Sequence, residues 1–317
     1  MDAVIRAFEG VTTILIMIMV GFVLAKRGWF SEESTKMISR LVTNITLPPF
    51  MMTSILGSFD RERLITLSHG LAVPVLSMAV GYFAGHLAAR VLRVQRGRIG
   101  MFSTMFYLSN TIFIGLPLNL ALFGEEAVPY VMLYYMANTT YFWVIGAHDI
   151  ALDGVKGEVP PIISLKTLKL IISPPLLGFI LGVIFLLLGW SLPNPVLRSF
   201  KYLGGMTTPL AMLFVGIAIS RAKWSEIHLE KDIVIAVIAR YTLAPALVMV
   251  LLPFFDLPKV MREVFIMMSV MPAMTNGSIL SEYYGADYKY AAVLIVITTV
   301  LALVTTPFYM WLATTYF

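Results

Sequence analysis

The sequence predicts an all-α integral membrane protein whose ten transmembrane helices form two inverted five-helix repeats. Three observations predict this fold class. Of the 317 residues, 59% are hydrophobic and 13% are charged, whereas a soluble domain carries about 25% charged residues. Apolar runs of about 20 residues, the length that crosses a bilayer as a helix, recur along the chain. Finally, a shift of 161 residues superposes landmarks of the two halves.

The ten predicted spans account for nearly all of the chain. They lie at residues 5–26, 37–58, 67–90, 99–123, 127–149, 165–190, 196–220, 233–255, 260–284 and 290–316. The longest connection, residues 151–164, contains the turn-forming pairs Asp153-Gly154 and Pro160-Pro161. We therefore predict a first repeat over residues 1–150, a central cytoplasmic linker over 151–164 and an inverted second repeat over 165–317.

The distribution of basic residues predicts the orientation of the spans. Fifteen of the 23 lysines and arginines fall in the loops after spans 1, 3, 5, 7 and 9, seven fall on the opposite side, and Arg240 lies within span 8. Cytoplasmic loops of membrane proteins carry an excess of basic residues. We therefore expect a multi-pass protein of the cell membrane with both termini outside. The net charge of +5 then requires no nucleic-acid partner.

The repeat is indicated by one constant offset in three separate regions. The superposed landmarks are Gly28-Trp29 on Gly189-Trp190, Thr46-Leu47-Pro48 on Thr207-Thr208-Pro209, and Phe123-Gly124 on Tyr284-Gly285. Because five spans is an odd number, the second copy must be inverted, as in secondary transporters. The alternative is a chance coincidence of glycine and proline in a biased composition.

Spans 4 and 9 carry the predicted binding site because each contains a helix breaker among polar residues. A proline removes a backbone donor, and interrupted backbone survives in a membrane only when it is buried in protein or lines a cavity. Paired interruptions in two halves point to a transporter's binding site, and half-helix N-termini favour anions. The predicted substrate-binding residues here are Asn110, Thr111, Pro117, Pro272, Thr275 and Asn276. The alternative is a packed proline kink with asparagines that bridge helices.

Spans 2 and 7 are interrupted with fewer polar residues. Asn44 and Thr46 in span 2 and Thr207 in span 7 either supply the opposite wall of the cavity or lie at simple kinks. For Gly115 and Gly277, close helix packing is the preferred interpretation.

The few ionisable residues within spans are functional candidates by default. We expect the Arg240 side chain to reach the cytoplasmic surface, and Glu282, His148 and Asp149 to be interfacial. His86, which can titrate near neutral pH, and Ser278 are candidates for proton or ion coupling. The chain has no cysteine and its histidines lack metal-ligand spacing, so neither a metal nor a cofactor is predicted.

The stretch at residues 109–118, Ser-Asn-Thr-Ile-Phe-Ile-Gly-Leu-Pro-Leu, resembles the span-4 crossover of the auxin efflux carrier family, which includes the plant PIN-formed exporters. Pro272 in span 9, the Asn44 to Pro48 segment and Pro307 in span 10 also fit, and the resemblance covers essentially the whole chain. It implies the fold of bile acid–sodium symporters and an elevator mechanism. The implied scaffold domain comprises residues 1–60 and 165–222, and the transport domain 66–150 and 231–317.

The resemblance further implies an organic anion bound at the crossover, with Asn110 at the matching position, and a homodimer. The long central loop of many plant exporters is absent, so dicarboxylates such as malonate or malate fit this compact chain better than auxin. The predicted function is secondary active transport of such carboxylates or auxin-like acids across the lipid bilayer. The alternatives are a channel or receptor-like protein and a sodium-coupled bile-acid-type symporter. An intramembrane enzyme is disfavoured because neither paired acids nor a His-x-x-x-His motif occurs.

Overall fold

The computed structural model describes residues 2–58, 60, 62, 68–155, 159, 171–221 and 230–317. Most of the predicted linker, residues 165–170 of span 6 and some basic residues counted for the orientation, such as Arg63 and Lys166, lie outside these ranges. The chain divides into two compact units. Unit 1 comprises Met1–His69, Ile112–Leu133 and Ile172–Ala222, and unit 2 comprises Gly70–Thr111, Tyr134–Ile171 and Lys223–Phe317. The division into scaffold and transport domains stays a prediction.

Helices make up most of the described residues, and no strand occurs among them. The α-helices are α1 (Asp2–Lys26), α2 (Glu32–Leu41), α3 (Leu47–Ser58), α4 (Ala72–Leu92), α5 (Ile99–Thr104), α6 (Leu116–Phe123), α7 (Val128–Tyr141), α8 (Ala147–Asp153), α9 (Pro174–Leu188), α10 (Asn194–Gly205), α11 (Thr207–Ser220), α12 (Lys231–Leu251), α13 (Lys259–Ser269), α14 (Asn276–Tyr284) and α15 (Tyr288–Tyr316). Short π-helical segments at Val42–Thr46, Thr111–Gly115 and Phe142–Gly146 lead into α3, α6 and α8.

Several helices have the length and composition of membrane spans. Four described helical stretches are long and apolar enough to cross a bilayer: His69–Leu92, Asn194–Ser220, Lys231–Phe254 and Tyr288–Tyr316. Shorter apolar helices occupy Thr12–Lys26, Thr111–Phe123 and Pro174–Leu188. The predicted all-helical class is therefore confirmed, and the apolar helices agree with a multi-pass membrane protein.

In unit 1, glycines lie at the contacts between helices and let the backbone of one helix touch the backbone of the next. A Cβ added at Gly21 of α1 would lie 2.5 Å from a backbone oxygen of α11, and one added at Gly216 of α11 would lie 2.1 Å from the Ile18 carbonyl oxygen. α9 meets α3 in the same way, since a Cβ at Gly178 would lie 2.2 Å from the Pro48 carbonyl oxygen. Small residues at such contacts allow helices in lipid to pack closely.

In unit 2, the short helix α5 lies between α4 and α8. A Cβ at Gly85 of α4 would lie 2.8 Å from the Ser103 carbonyl oxygen, and one at Gly100 of α5 would lie 2.5 Å from the backbone of Asp149 in α8. Residues 101–111 and 263–273, which include the irregular segments after α5 and α13, are buried throughout. Both interruptions therefore belong to unit 2 and are buried.

Two of the repeated landmarks also share a positive φ angle. Gly28 and Gly189 have φ angles of 79° and 67°, and Gly124 and Gly285 have φ angles of 72° and 74°. Residues with a Cβ seldom adopt positive φ, so glycine is favoured where a helix must end in this way. Each pair is separated by the 161 residues of the predicted repeat.

Candidate functional site

Two irregular backbone segments meet inside unit 2 and form the candidate site, which we call the crossover. α5 and α13 both end here, and the chain resumes a helical conformation only at Thr111 and Asn276. The Asn110 N–H donates to the Pro272 carbonyl oxygen at 2.8 Å, so the two segments are in direct contact. Pro272 has no N–H and cannot continue the helix before it. The interruptions predicted in spans 4 and 9 are therefore present, and the structure brings Asn110, Thr111 and Pro272 together.

Arg240 of α12 joins both interrupted segments and is completely buried. Its guanidinium donates to the carbonyl oxygens of Met105, at 3.2 Å, and of Leu108, and through its other terminal nitrogen to that of Ser269. Leu108 and Ser269 are 161 residues apart. One cation thus binds equivalent carbonyl groups of the two proposed repeats. Among the described residues, no carboxylate lies within 4.0 Å of this guanidinium.

The expectation that Arg240 reaches the cytoplasmic surface is wrong, and the reason lies at the ends of α5 and α13. The last carbonyl groups of a helix have no intrahelical donor, and an unpaired carbonyl group away from water is costly. A guanidinium offers five N–H donors in a fixed geometry, so Arg240 satisfies two helix ends at once. The length of the arginine side chain can be read from the sequence, whereas the carbonyl acceptors at the ends of α5 and α13 cannot.

Two further polar side chains hold the irregular backbone and were not predicted. The Asn138 amide of α7 accepts from the Ser109 N–H at 2.9 Å and donates to the Ser109 carbonyl oxygen at 3.0 Å. The Thr298 hydroxyl of α15 accepts from the Ala273 N–H at 3.0 Å. Both side chains are buried, and their positions match within one residue of the 161-residue offset. Polar residues at matching positions of otherwise apolar spans are the signal that would have identified them.

The predicted residues of spans 2 and 7 belong to unit 1. There the Thr207 hydroxyl donates to the Thr46 hydroxyl at 2.9 Å, and both side chains are buried. These residues again occupy equivalent positions of the repeat. Asn44 is exposed on the π-helical segment before α3, and Pro117 is buried in the first turn of α6. The role of Asn44, Thr46 and Thr207 in the opposite wall of the cavity stays a prediction, as does the role of Pro117 in substrate binding.

The remaining predicted residues lie at the start of α14. Thr275, Asn276 and Ser278 are half-buried there. Between them, a Cβ added at Gly277 would lie 2.6 Å from the Met101 sulfur atom. Gly277 therefore serves close packing, as expected, and a larger residue would displace the Met101 side chain.

Comparison with known sequences identifies the kind of protein in which this crossover occurs. The family described as membrane transport protein matches residues 6–310. The chain belongs to this membrane transport protein family. The predicted resemblance to the auxin efflux carrier family is thereby confirmed.

Two relatives of this transport protein are similar along nearly their whole length. The chain is 25% identical over 315 residues to an uncharacterized transporter of Methanocaldococcus jannaschii, with 95% of this chain and 97% of the relative covered. It is also 25% identical over 303 residues to an uncharacterized transporter of Methanothermobacter thermautotrophicus, with 94% and 96% covered. Both names state transport, and neither states a substrate.

The transport protein has a second polar cluster in unit 2, near the end of α4. His86 Nε2 lies 3.3 Å from Asp149 Oδ2, and its Nδ1 lies 3.1 Å from the Tyr82 carbonyl oxygen. The Asp149 side chain is only 9% exposed, so its carboxylate is buried, and its expected place near a membrane interface stays a prediction. An imidazole beside a buried carboxylate can take up a proton to form an ion pair.

Charged residues beyond the predicted spans hold the start of α5 in place. Asp153 accepts from the Gly100 N–H at 2.5 Å, and burial raises the pKa of its carboxyl group to about 6. Arg98 pairs with Glu230 and donates to Asp287 at 2.8 Å, and these contacts, chiefly the hydrogen bond to Glu230, raise the pKa of its guanidinium. The interactions tie α5 to α8, α12 and α15, and so hold in place the half-helix that ends at the crossover.

Proposed function

We propose that this membrane transport protein is a secondary active transporter that binds a small organic anion at the crossover. The ligand class comprises carboxylates such as malonate and malate, and auxin-like acids. The buried Arg240, which no described carboxylate neutralises, is the observation that carries the proposal. A buried charge is unfavourable without a counter-charge, and a bound anion supplies one.

Helix-end charges favour an anion at the same place. Each helix end carries about half an elementary charge, negative at the C-terminus and positive at the N-terminus. The C-terminal ends of α5 and α13 together contribute about one negative charge near Arg240, and the N-terminal ends of two further helical segments offset it. The helical segments that begin at Thr111 and Asn276 add about one positive charge. The crossover therefore has a net charge of about +1, which suits one carboxylate group.

We further propose that the ten spans form two inverted repeats and that transport follows an elevator mechanism. Four pairs of residues at the 161-residue offset support the repeat. They are the positive-φ pairs Gly28 with Gly189 and Gly124 with Gly285, the hydrogen-bonded pair Thr46 with Thr207, and the carbonyl groups of Leu108 and Ser269 that Arg240 binds. The elevator mechanism and the homodimer rest on the family resemblance.

His86 is proposed as the site of proton coupling, and its contact with Asp149 supports this assignment. Protonation of the imidazole creates an ion pair inside unit 2, and loss of the proton leaves the buried carboxylate without a cation. Protonation of His86 therefore stabilises the packing of α8, which carries Asp149, against α4, which carries His86. Ser278 stays a proposed ion ligand at the start of α14.

Uptake by proteoliposomes tests the proposed function. Labelled malonate, malate and indole-3-acetate are supplied with imposed proton or sodium gradients. We expect saturable uptake of at least one carboxylate, which the unlabelled acid competes away, and stimulation by a proton gradient that His86→Gln abolishes. A conductance that neither saturates nor depends on the solute would overturn the proposal and favour a channel.

Asn110→Ala tests the position of the site within that assay. We expect substrate affinity to fall about tenfold or more, as for the loss of a hydrogen bond to a charged ligand. Asn194→Ala, which removes an exposed amide at the start of α10, is the control and should leave affinity unchanged. Unchanged affinity in a folded Asn110→Ala protein would remove this residue from the site.

A further inference from the structure

The end of α4 and the segment after it carry three arginines that have no counter-charge among the described residues. Arg90, Arg93 and Arg96 are exposed, and within the described ranges no carboxylate lies within 4.0 Å of any of them. Arg98, two positions further along, pairs instead with three carboxylates. Among the described residues, Arg98 is therefore neutralised, and the other three arginines have no counter-charge.

The backbone of Arg93 is unusual in a way that also points to a ligand. Arg93 has φ and ψ angles of 54° and 47°, and it is the one non-glycine residue with positive φ in the described part of the chain. It caps the C-terminus of α4 by donating its N–H to the carbonyl group of Arg90. Glycine is the usual residue at such a position. This conformation is unfavourable for a residue with a Cβ, so the presence of arginine here indicates a function of its side chain.

The three arginines border a cavity with an apolar wall. The cavity has a volume of about 770 Å³, and its lining includes Phe83, Leu87 and Arg90 of α4. These residues are spaced by four and three positions and so lie along one face of the helix. Phe83 and Leu87 are 70% and 62% exposed. A cationic rim at the end of an exposed apolar face matches a ligand with an anionic head and an apolar tail.

We propose that this cavity binds an anionic glycerophospholipid. The phosphate group lies between Arg90, Arg93 and Arg96, and an acyl chain lies along Phe83 and Leu87. A small soluble anion would leave the apolar wall uncovered, whereas a lipid covers the wall and the arginines together. The predicted orientation places this loop in the cytoplasm, and basic pockets on that side of membrane proteins bind anionic head groups.

Native mass spectrometry of the detergent-solubilised protein tests the proposal. The protein is titrated with phosphatidylglycerol, with phosphatidylcholine of the same acyl chains, and with glycerol 3-phosphate. We expect at least one bound phosphatidylglycerol with an affinity tenfold or more above that of phosphatidylcholine, as an approximate threshold for head-group selectivity. Equal affinities of the two lipids would overturn the proposal. Displacement of the lipid by glycerol 3-phosphate at equal concentration would overturn it in favour of a soluble anion.

A matched pair of variants locates the site. Arg90→Gln with Arg96→Gln should weaken phosphatidylglycerol binding by about thirtyfold. Arg198→Gln with Lys201→Gln removes the same charge from exposed positions of α10 and should not change it. Equal effects of the two pairs would show that only overall charge matters and would overturn the proposed site.

Arg93→Gly separates the ligand role from a structural one. Glycine relieves the left-handed backbone, so we expect thermal stability in detergent to be unchanged or raised while phosphatidylglycerol binding weakens severalfold, as for one lost cation. Retained lipid binding would contradict the role assigned to Arg93. This variant keeps the fold and therefore remains informative if Arg90→Gln with Arg96→Gln fails to fold.

Discussion

At the residue scale, Arg240 combines a structural and an electrostatic role in one side chain. Its donors satisfy carbonyl groups of Met105, Leu108 and Ser269 that no helix can pair. Its charge makes the same place favourable for an anion. The two roles depend on different properties, the number of N–H donors and the net charge, and can be separated by substitution.

Replacing Arg240 by lysine or glutamine separates these roles. Lysine keeps the charge with fewer donors in a different geometry, so Arg240→Lys should lower stability by about 1–2 kcal/mol while anion uptake persists with a raised KM. Glutamine removes the charge and most donors, so Arg240→Gln should cost about 3 kcal/mol and abolish uptake. Thermal unfolding in detergent and proteoliposome uptake measure the two effects. Normal carboxylate uptake by Arg240→Gln would contradict the electrostatic role.

Asp153 predicts a pH dependence of stability. Burial raises the pKa of its carboxyl group from 3.8 to about 6, so the folded state binds a proton more tightly than the unfolded state. Stability from this group is fully present below about pH 4, falls as the pH rises to about 6 and stays constant above it. Asp153→Asn keeps an oxygen for the Gly100 N–H. It should therefore remove this dependence and stabilise the protein at pH 7 by about 1–2 kcal/mol, allowing for partial exposure.

Thermal unfolding of both proteins between pH 4 and pH 7 checks this expectation. Glu33→Gln, at an exposed position in the first turn of α2, serves as a control because it removes a carboxylate that lies outside this cluster, and it should leave the pH dependence in place. Parallel pH profiles of the wild type and Asp153→Asn would show that the carboxyl group of Asp153 does not cause the change.

At the element scale, the sequence predicted where helices break better than what holds the broken ends. Proline and glycine determine the backbone conformation at their own positions, so the interruption at Pro272 and the helix ends at the positive-φ glycines could be located from residue types alone. The partners of those ends are distant in the chain. Arg240 and Asn138 act on backbone 132 and 29 residues away, and a single sequence does not show which apolar span faces which carbonyl group. For the same reason, the burial of Asp149 against α4 was not predicted.

Close packing of α1 on α11 leads to a prediction about Gly216. A Cβ here would lie 2.1 Å from the Ile18 carbonyl oxygen, and backbone cannot yield as a flexible side chain can. Gly216→Ala should therefore lower stability by about 2 kcal/mol, within the range for overpacking a core. Gly205→Ala is the control, because its Cβ would have no neighbour within 4 Å, and it should be neutral or slightly stabilising. Equal melting temperatures of the two variants would contradict this account of the contact.

At the scale of the whole molecule, the proposed repeat is symmetric in backbone and asymmetric in charge. The offset that relates Leu108 to Ser269 places Ala79 of α4 at the position equivalent to Arg240. One arginine therefore binds acceptors of both repeats, where a fully symmetric molecule would carry two buried cations. A single charge suits a single carboxylate group, and a second buried arginine would require a further counter-ion. The asymmetry is thus consistent with one anion at the crossover.

The proposed inverted arrangement places both termini outside, and this topology can be tested directly because the chain contains no cysteine. Single cysteines at exposed positions report the side of the membrane through a membrane-impermeant maleimide. We expect Asp256→Cys and Thr315→Cys to react in intact cells, and Glu33→Cys and Lys289→Cys to react only after permeabilisation. The physical reason is the excess of lysine and arginine in the loops after odd-numbered spans. Because nine predicted spans lie between Glu33 and Thr315, labelling of both cysteines from the same side would require an odd number of these spans to be absent and would contradict the two repeats of five spans.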